Sequence, residues 1–483
     1  MKTVKTFVKN SAANYGQKVI RASIGLLTIG LIARYLRPGV FGLYAYILAF
    51  VTIAEVTTGM GVPIILCREV AKDKTKASSL IASGLILQFL FSITTLAILT
   101  LMFYFVAPSR AVFFVAIVCA VSEIFKFLGR FFWSVYQAFE RMGFGTLQTF
   151  IIEGLYLILV VVVTRMDLGL FGLFTGMLLA HLAGAIFGYV TVTKFFARLD
   201  FENVKGLFKF LLKQSYPLAI RGLFQKLNYR ASTLLLAALK TNFEVGIFNG
   251  PHKIILNLLF ISEGSTQAIF PILSRFTASS RASLDKAYQT SLKFALLMGL
   301  PIAIFLSKFS KALVVLILGH KYVESAPVLS IIAWALVPLF VVGFMQKVLV
   351  AGNKQGLTTW ATAAGLGVNL ILNLILIPGM GGEGAAIATI ASQVVPLCLN
   401  VYFVGKYLEL HVRLPVIAKP LLAGVATFGA LAVLPHMNIF VGAVVEVLVY
   451  ATVVLGIRTF SEEEISLAKE LLRGAVSARA VGG

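Results

Sequence analysis

Aspartate is nearly missing from this 483-residue chain. There are four, Asp73, Asp167, Asp200 and Asp285, and all four read as loop residues outside the apolar runs. Cysteine is scarce as well: Cys67, Cys119 and Cys398 stand far apart, which excludes a disulfide framework and a cysteine-rich metal centre. Charged residues make up only 13% of the chain against 59% hydrophobic ones, a balance no soluble domain of this length carries. No G-x-x-x-x-G-K-[ST], H-E-x-x-H or G-x-S-x-G occurs, so the sequence holds no ATP motor, zinc-protease or serine-hydrolase signature, and no catalytic or metal-binding set is expected. Gly379-Met380-Gly381-Gly382-Glu383-Gly384 fits G-x-G-x-x-G, but no βαβ pattern surrounds it, and a tight helix–helix turn explains it.

What the chain has instead is apolar length. Runs of about 20 residues, such as the one containing VFFVAIVCAV (112–121), are apolar on every side and long enough to cross ~30 Å of hydrocarbon. Backbone polar groups in lipid must be satisfied within the segment, so each run is expected to be a helix. The alternation of a membrane β-barrel is absent. The expected fold is an all-α membrane protein with about 14 transmembrane helices. They fall at 15–36, 41–65, 79–106, 111–136, 146–164, 169–193, 214–239, 244–272, 287–310, 325–350, 356–377, 382–405, 415–434 and 438–457.

The formal charge of +22 sits mostly in alternate loops. Arg68, Lys72, Lys74 and Lys76 mark one, Lys194 to Lys213 a second, Arg275 to Lys286 a third, and Lys406, Arg413 and Lys419 a fourth. The positive-inside rule makes these cytoplasmic, together with both termini, in a plasma (inner) membrane. It also accounts for the basicity without a nucleic-acid partner. The first apolar run is long, lacks an A-x-A-like exit and reads as a retained span rather than a cleaved signal.

The chain repeats weakly. Ile20-Arg21-Ala22 matches Ile220-Arg221-Gly222, and Phe41-Gly42-Leu43-Tyr44 matches Val245-Gly246-Ile247-Phe248. Six spans separate the copies, so both keep one orientation. The expected arrangement is two parallel pseudo-two-fold six-helix bundles, 1–200 and 201–410, with an appended helix pair and cytoplasmic tail at 411–483. A substrate site would lie between the bundles. Pro217, Pro271, Pro301, Pro338 and Pro396 lie inside spans, either as ordinary membrane-helix irregularities or as hinges.

Charges at membrane depth are costly and survive where they face a cavity or a partner. Here they are mostly basic, which points to an anionic cargo. Glu123, Lys126 and Arg130 share one face of the fourth span, and Lys226 and Arg230 one face of the seventh. With Arg21, Arg221 and Lys253 these bases form the candidate cationic cavity. Arg21 and Arg221 alternatively snorkel to the headgroups, and the Glu123–Lys126 pair alternatively only packs the bundle. Glu55, Glu123 and Glu263 either neutralise the bases or bind a coupling ion; His252 shares a face with Glu263. Asn369 and Asn373, and Gln393 and Asn400, either join helices or contact a glycan.

Three stretches carry a family resemblance: Ala33-Arg34-Tyr35-Leu36-Arg37-Pro38-Gly39-Val40-Phe41-Gly42-Leu43-Tyr44; Tyr229-Arg230 with Val245-Gly246-Ile247-Phe248; and Ile317-Leu318-Gly319-His320-Lys321-Tyr322 running to Leu329, followed by Ala351-Gly352-Asn353. The chain resembles the multidrug/oligosaccharidyl-lipid/polysaccharide (MOP) exporter superfamily, in its polysaccharide-transporter branch of Wzx-type O-antigen flippases. Ser232 stands where such sequences often have an acidic residue. The resemblance implies a transporter, not an enzyme, that moves polyprenyl-(pyro)phosphate-linked oligosaccharide from the cytoplasmic to the outer leaflet by alternating access. It implies no cofactor, with coupling to an H+ or Na+ gradient or to the membrane potential. Membrane lipids, and a glycan polymerase or glycosyltransferases, are the implied partners. The alternatives are a cation-coupled multidrug exporter of the same fold and a lipid II flippase. A membrane glycan polymerase or ligase is disfavoured by the short outer loops.

Overall fold

The computed structural model describes residues 2–201, 204–433 and 438–460, and these are helical almost throughout, with no strand among them. The helices are α1 (Lys2–Tyr35), α2 (Pro38–Gly59), α3 (Val62–Lys72), α4 (Ala77–Val106), α5 (Arg110–Ala138), α6 (Met142–Met166), α7 (Gly169–Phe195), α8 (Lys205–Leu239), α9 (Asn242–Ser279), α10 (Arg281–Lys308), α11 (Ser310–Ile317), α12 (Ser325–Ile332), α13 (Leu336–Ala351), α14 (Gln355–Leu408), α15 (Leu414–Val433) and α16 (Ile439–Gly456). Their starts follow ordinary capping chemistry. Pro38 opens α2, Ser109 Oγ accepts from Val112 N at 3.3 Å before α5, and Asn438 Oδ1 accepts from Phe440 N at 3.0 Å before α16.

Twelve helices among the described residues are long and apolar enough to cross a membrane. The two differences from the expected fourteen spans have local causes. The cations of α8 disqualify it on apolarity alone. The 54-residue α14 runs through the expected turn between the eleventh and twelfth spans, where Gly381 leaves helical geometry (φ 52°, ψ −127°) and breaks it in two. The second expected span is interrupted too: Met60 and Gly61 both take left-handed backbone (φ 42° and 76°), which separates α2 from α3. The tenth divides into α12 and α13 around a 3₁₀ turn, Ala333–Ala335. Asp285 is not a loop residue. It lies in α10, where Arg413 forms an ion pair with it.

Large apolar side chains point outward along the helices, among them Phe105, Phe114, Ile158, Trp360 and Val425, as lipid contact requires. Inside, α5 packs on α7, α1 on α6, α8 on α14 and α10 on α13, while α15 and α16 lean on α10. Without a hydrophobic drive between helices in lipid, close approach depends on small residues. The crossing of α2 and α9 shows this. The Cβ position of Gly42 coincides with the Asn242 carbonyl, and that of Gly246 with the Pro38 carbonyl. The contact is reciprocal: the glycine of each helix receives the start of the other.

The remaining signature stretches meet beside this crossing. Arg34 donates to the Leu316 carbonyl, Tyr322 Oη donates to the Leu36 carbonyl at 3.3 Å, and the Tyr322 ring stands edge-on to Phe41 at 5.7 Å. Glu244 Oε2 accepts from Gly382 N at 2.9 Å, which ties the break in α14 to the start of α9.

Candidate functional site

A cavity of about 570 Å³ opens between α1, α5, α6, α7 and α9. Lys18 and Arg21 project into it from α1, Lys126, Arg130 and Trp133 from α5, Glu153 from α6, His181 from α7 and Glu263 from α9. Amides brace the walls. Gln148 Nε2 donates to the carbonyls of Gly184 (2.8 Å) and Gly129 (3.2 Å), and Gln17 Nε2 donates to Thr149 Oγ1 at 2.6 Å. The His181 ring bonds Ser122 Oγ at 2.8 Å.

The predicted face of α5 is present. Lys126 lies one turn from Glu123 and bonds it at 2.7 Å; it also bonds Glu55 of α2 at 2.7 Å. Lys226 of α8 bonds the other oxygen of Glu55. Arg130 is different. Its nearest carboxylate oxygen is 4.0 Å away on Glu55, and its side chain is 50% exposed. Arg21 pairs with Glu153 at 3.3 Å and Lys18 with Glu263 at 2.9 Å. Glu263 is therefore a partly exposed ion-pair partner on the cavity wall, whereas His252 is buried and stacked on Phe248.

Arg230 and Lys253 have no ion pair among the described residues. The Lys253 ammonium stands over Tyr44, 4.6 Å from the ring centroid, a cation–π contact that leaves its charge uncancelled. The Arg221 side chain lies outside the described residues. Four bases (Lys18, Arg21, Lys126, Arg130) and two carboxylates (Glu153, Glu263) line the cavity; Glu55, Glu123 and Lys226 join them behind the wall through the Lys126 pairs, and Arg230 and Lys253 lie outside the lining. The interior is thus a charge network with a positive surplus, not a bare row of cations. Such a surplus in a partly dehydrated space can replace the hydration of an anion.

The polar residues of α14 separate. Asn373 Nδ2 donates to the Asn369 carbonyl (2.7 Å), to Asn369 Oδ1 (2.9 Å) and to Ser232 Oγ (3.1 Å), while Asn369 Nδ2 reaches the Ala388 carbonyl at 3.4 Å. These amides join the two parts of α14 to α8. Gln393 lines a second, smaller cavity of about 110 Å³ with Gln225, Asn228 and Gln346. Asn400 is fully buried, and neither amide atom has a hydrogen-bond partner among the described residues.

Sequence reasoning passed over Lys18 and Trp133, whereas Glu153 is one of the carboxylates it expected to pair with the bases. Lys18 precedes Arg21 by one helical turn, a spacing that puts both on one face. No group of three or more His, Cys, Asp or Glu suited to a metal occurs among the described residues.

Residues 7–277 match the family model described as "Polysaccharide biosynthesis protein". The chain is 24% identical over 265 residues to the probable low-salt glycan biosynthesis flippase Agl15 of Haloferax volcanii, covering 53% of this chain and 55% of that one. It is 24% identical over 242 residues to the membrane protein MJ1068 of Methanocaldococcus jannaschii, covering 48% of this chain and 47% of that one. The chain thus spans about half the length of these relatives. Among solved structures, the lipid II flippase MurJ in an inward closed conformation superposes with a TM-score of 0.77 at 14% identity, over 93% of this chain and 99% of that one. An inward-facing multidrug resistance MATE family transporter of the MOP superfamily gives 0.65 at 15% identity, over 80% and 95%. With the family model matched across more than half of the chain, and with helices that take a MurJ- and MATE-like fold, this multi-span membrane protein belongs to the polysaccharide biosynthesis protein family.

Proposed function

We propose that this protein is a flippase for polyprenyl-(pyro)phosphate-linked oligosaccharide, moving it from the cytoplasmic to the outer leaflet of the plasma membrane. The observation that carries the reading is the positive surplus around a cavity large enough for a charged headgroup. Burying a phosphate or pyrophosphate uncompensated would cost many kcal/mol, and Arg130, Arg230 and Lys253 are the bases least cancelled by carboxylates. The lipid chain stays in the bilayer. The glycan meets the amide walls, with Gln393 of the smaller cavity as a further candidate, whereas the fully buried Asn400 is out of its reach. Residues 1–200 and 201–410 act as two bundles that rock about the α2–α9 crossing, and α15 and α16 act as an accessory pair packed on α10.

An inside-negative potential favours outward movement of an anion by about 2.3 kcal/mol per charge per 100 mV, which would drive transport without ATP. A coupling H+ or Na+ gradient is the other source. Glycosyltransferases on one side and a glycan polymerase on the other would supply and consume the cargo. A cation-coupled exporter needs acidic side chains free to take its cargo, whereas Glu55 and Glu123 are both held by Lys126, and the wall carboxylates Glu153 and Glu263 are paired with Arg21 and Lys18.

The test is reconstitution in liposomes with a short polyprenyl-diphosphate oligosaccharide and a leaflet-resolved assay of the sugar. Protein-dependent appearance of sugar on the opposite leaflet is expected. Its absence, with drug efflux instead, overturns the proposal.

A further inference from the structure

Glu55 is a buried carboxylate, 4% exposed, reached by cations from two helices. Lys126 of α5 takes one oxygen at 2.7 Å, Lys226 of α8 takes the other, and the Arg130 guanidinium stands 4.0 Å from that second oxygen. Lys226 also donates to the Thr52 carbonyl at 3.2 Å, one turn earlier on α2. The Phe127 ring lies 5.6 Å from both Arg130 and Lys226 and floors the cluster. Lys126 and Arg130 line the cavity; Glu55 lies behind them and does not.

Two lysines and an arginine converging on one oxyanion form the arrangement a phosphate would receive. We infer that Glu55 is a built-in substitute for the cargo headgroup, and that it sets the charge a lipid must carry to be accepted. This rests on the reading that the cavity takes an anionic lipid headgroup. A membrane phospholipid with one phosphodiester charge can only exchange one negative charge for another. It gains little and leaves Glu55 without partners in a dry wall. A diphosphate strands Glu55 as well, but it brings more than one charge, so that it satisfies the displaced lysines and retains attraction for Arg130 to offset that cost. Glu55 therefore excludes the abundant monoanionic lipids of the bilayer, which a bare cationic cavity would accept.

The experiment uses the full chain in phosphatidylcholine nanodiscs. Trp133 lines the cavity and serves as a fluorescent reporter. The probes are a polyprenyl diphosphate, phosphatidylglycerol, and inorganic pyrophosphate as the chain-free form of the same charge. The wild type is expected to prefer the diphosphate lipid to phosphatidylglycerol by about tenfold or more, the scale of one close charge pair. Glu55→Gln should cut that preference to about threefold or less by gaining phosphatidylglycerol affinity. Glu69→Gln, whose carboxylate pairs with Arg68 and Lys72 outside the cavity lining, should keep it. Excess pyrophosphate should displace the diphosphate lipid from the wild type. Equal wild-type affinity for the two lipids overturns the inference without recourse to any variant. So does a folded Glu55→Gln protein with unchanged preference, or a failure of pyrophosphate to compete. A wild type that binds neither lipid removes the cavity reading itself, and the role of Glu55 with it.

Discussion

Lys126 and Arg130 sit one turn apart on α5, yet their removal should have opposite signatures. Lys126 bonds Glu55 and Glu123 at 2.7 Å each, and both carboxylates are buried. Lys126→Ala leaves Glu123 without its cation and Glu55 with Lys226 and a distant Arg130. Stranding a buried charge in this way costs about 3–5 kcal/mol. Arg130 makes one long contact and is half exposed, so Arg130→Ala should cost at most about 1 kcal/mol of stability. For an anionic cargo, however, Arg130 is the least occupied cation on the cavity wall. Losing a charge-assisted contact of about 1.5–3 kcal/mol should reduce transport roughly tenfold to hundredfold. The assays are thermal unfolding of the purified proteins and the leaflet-resolved transport measurement. Arg130→Ala should melt like the wild type and fail to transport; Lys126→Ala should melt earlier, with Lys126→Arg recovering most of the loss. An Arg130→Ala protein that transports normally, or that unfolds as readily as Lys126→Ala, refutes the division of labour between the two bases.

Gly42→Leu or Gly246→Leu should prevent α2 and α9 from meeting, and cysteine labelling near their crossing should rise sharply compared with the wild type. Tyr322→Phe removes the hydrogen bond to the Leu36 carbonyl and should cost about 1 kcal/mol in unfolding experiments, with the ring stacking intact. Glu244→Gln replaces the carboxylate that accepts from Gly382 N and should destabilise the break in α14 by about 1–2 kcal/mol, read as faster amide exchange around residue 382. A potassium diffusion potential, negative inside, should speed transport by roughly tenfold or more per 100 mV if one net charge moves; indifference to the potential would show that the moving charge is compensated.

Much of this architecture was legible because lipid imposes one rule. Apolar length fixes where helices lie, and the alternating basic loops are conspicuous in the sequence. The breaks were less so. Gly59, Gly61 and Pro63 mark a weak point inside the second expected span, but nothing about Met60 gives reason to expect two consecutive left-handed residues there. The Glu123–Lys126 pair could be read from a spacing of three. The bond from Glu55 to Lys226 could not, because it joins residues 171 apart whose meeting depends on how α2 packs against α8. That contact turned an expected cationic stripe into a paired network. Lys18 was missed for a simpler reason: it stands in a basic N-terminal stretch, where a lysine reads as a headgroup anchor.

The backbone-to-backbone contact at Gly42 and Gly246 also bears on how the molecule moves. Packed side chains can slip past one another through a series of rotamers and yield gradually. Here there are none to slip, only main chain resting on main chain, so any small shift forfeits the fit at both points together. If the bundles rock about this crossing as proposed, such a junction admits two conditions, engaged and parted, with a narrow range between them in which a half-open passage would leak ions.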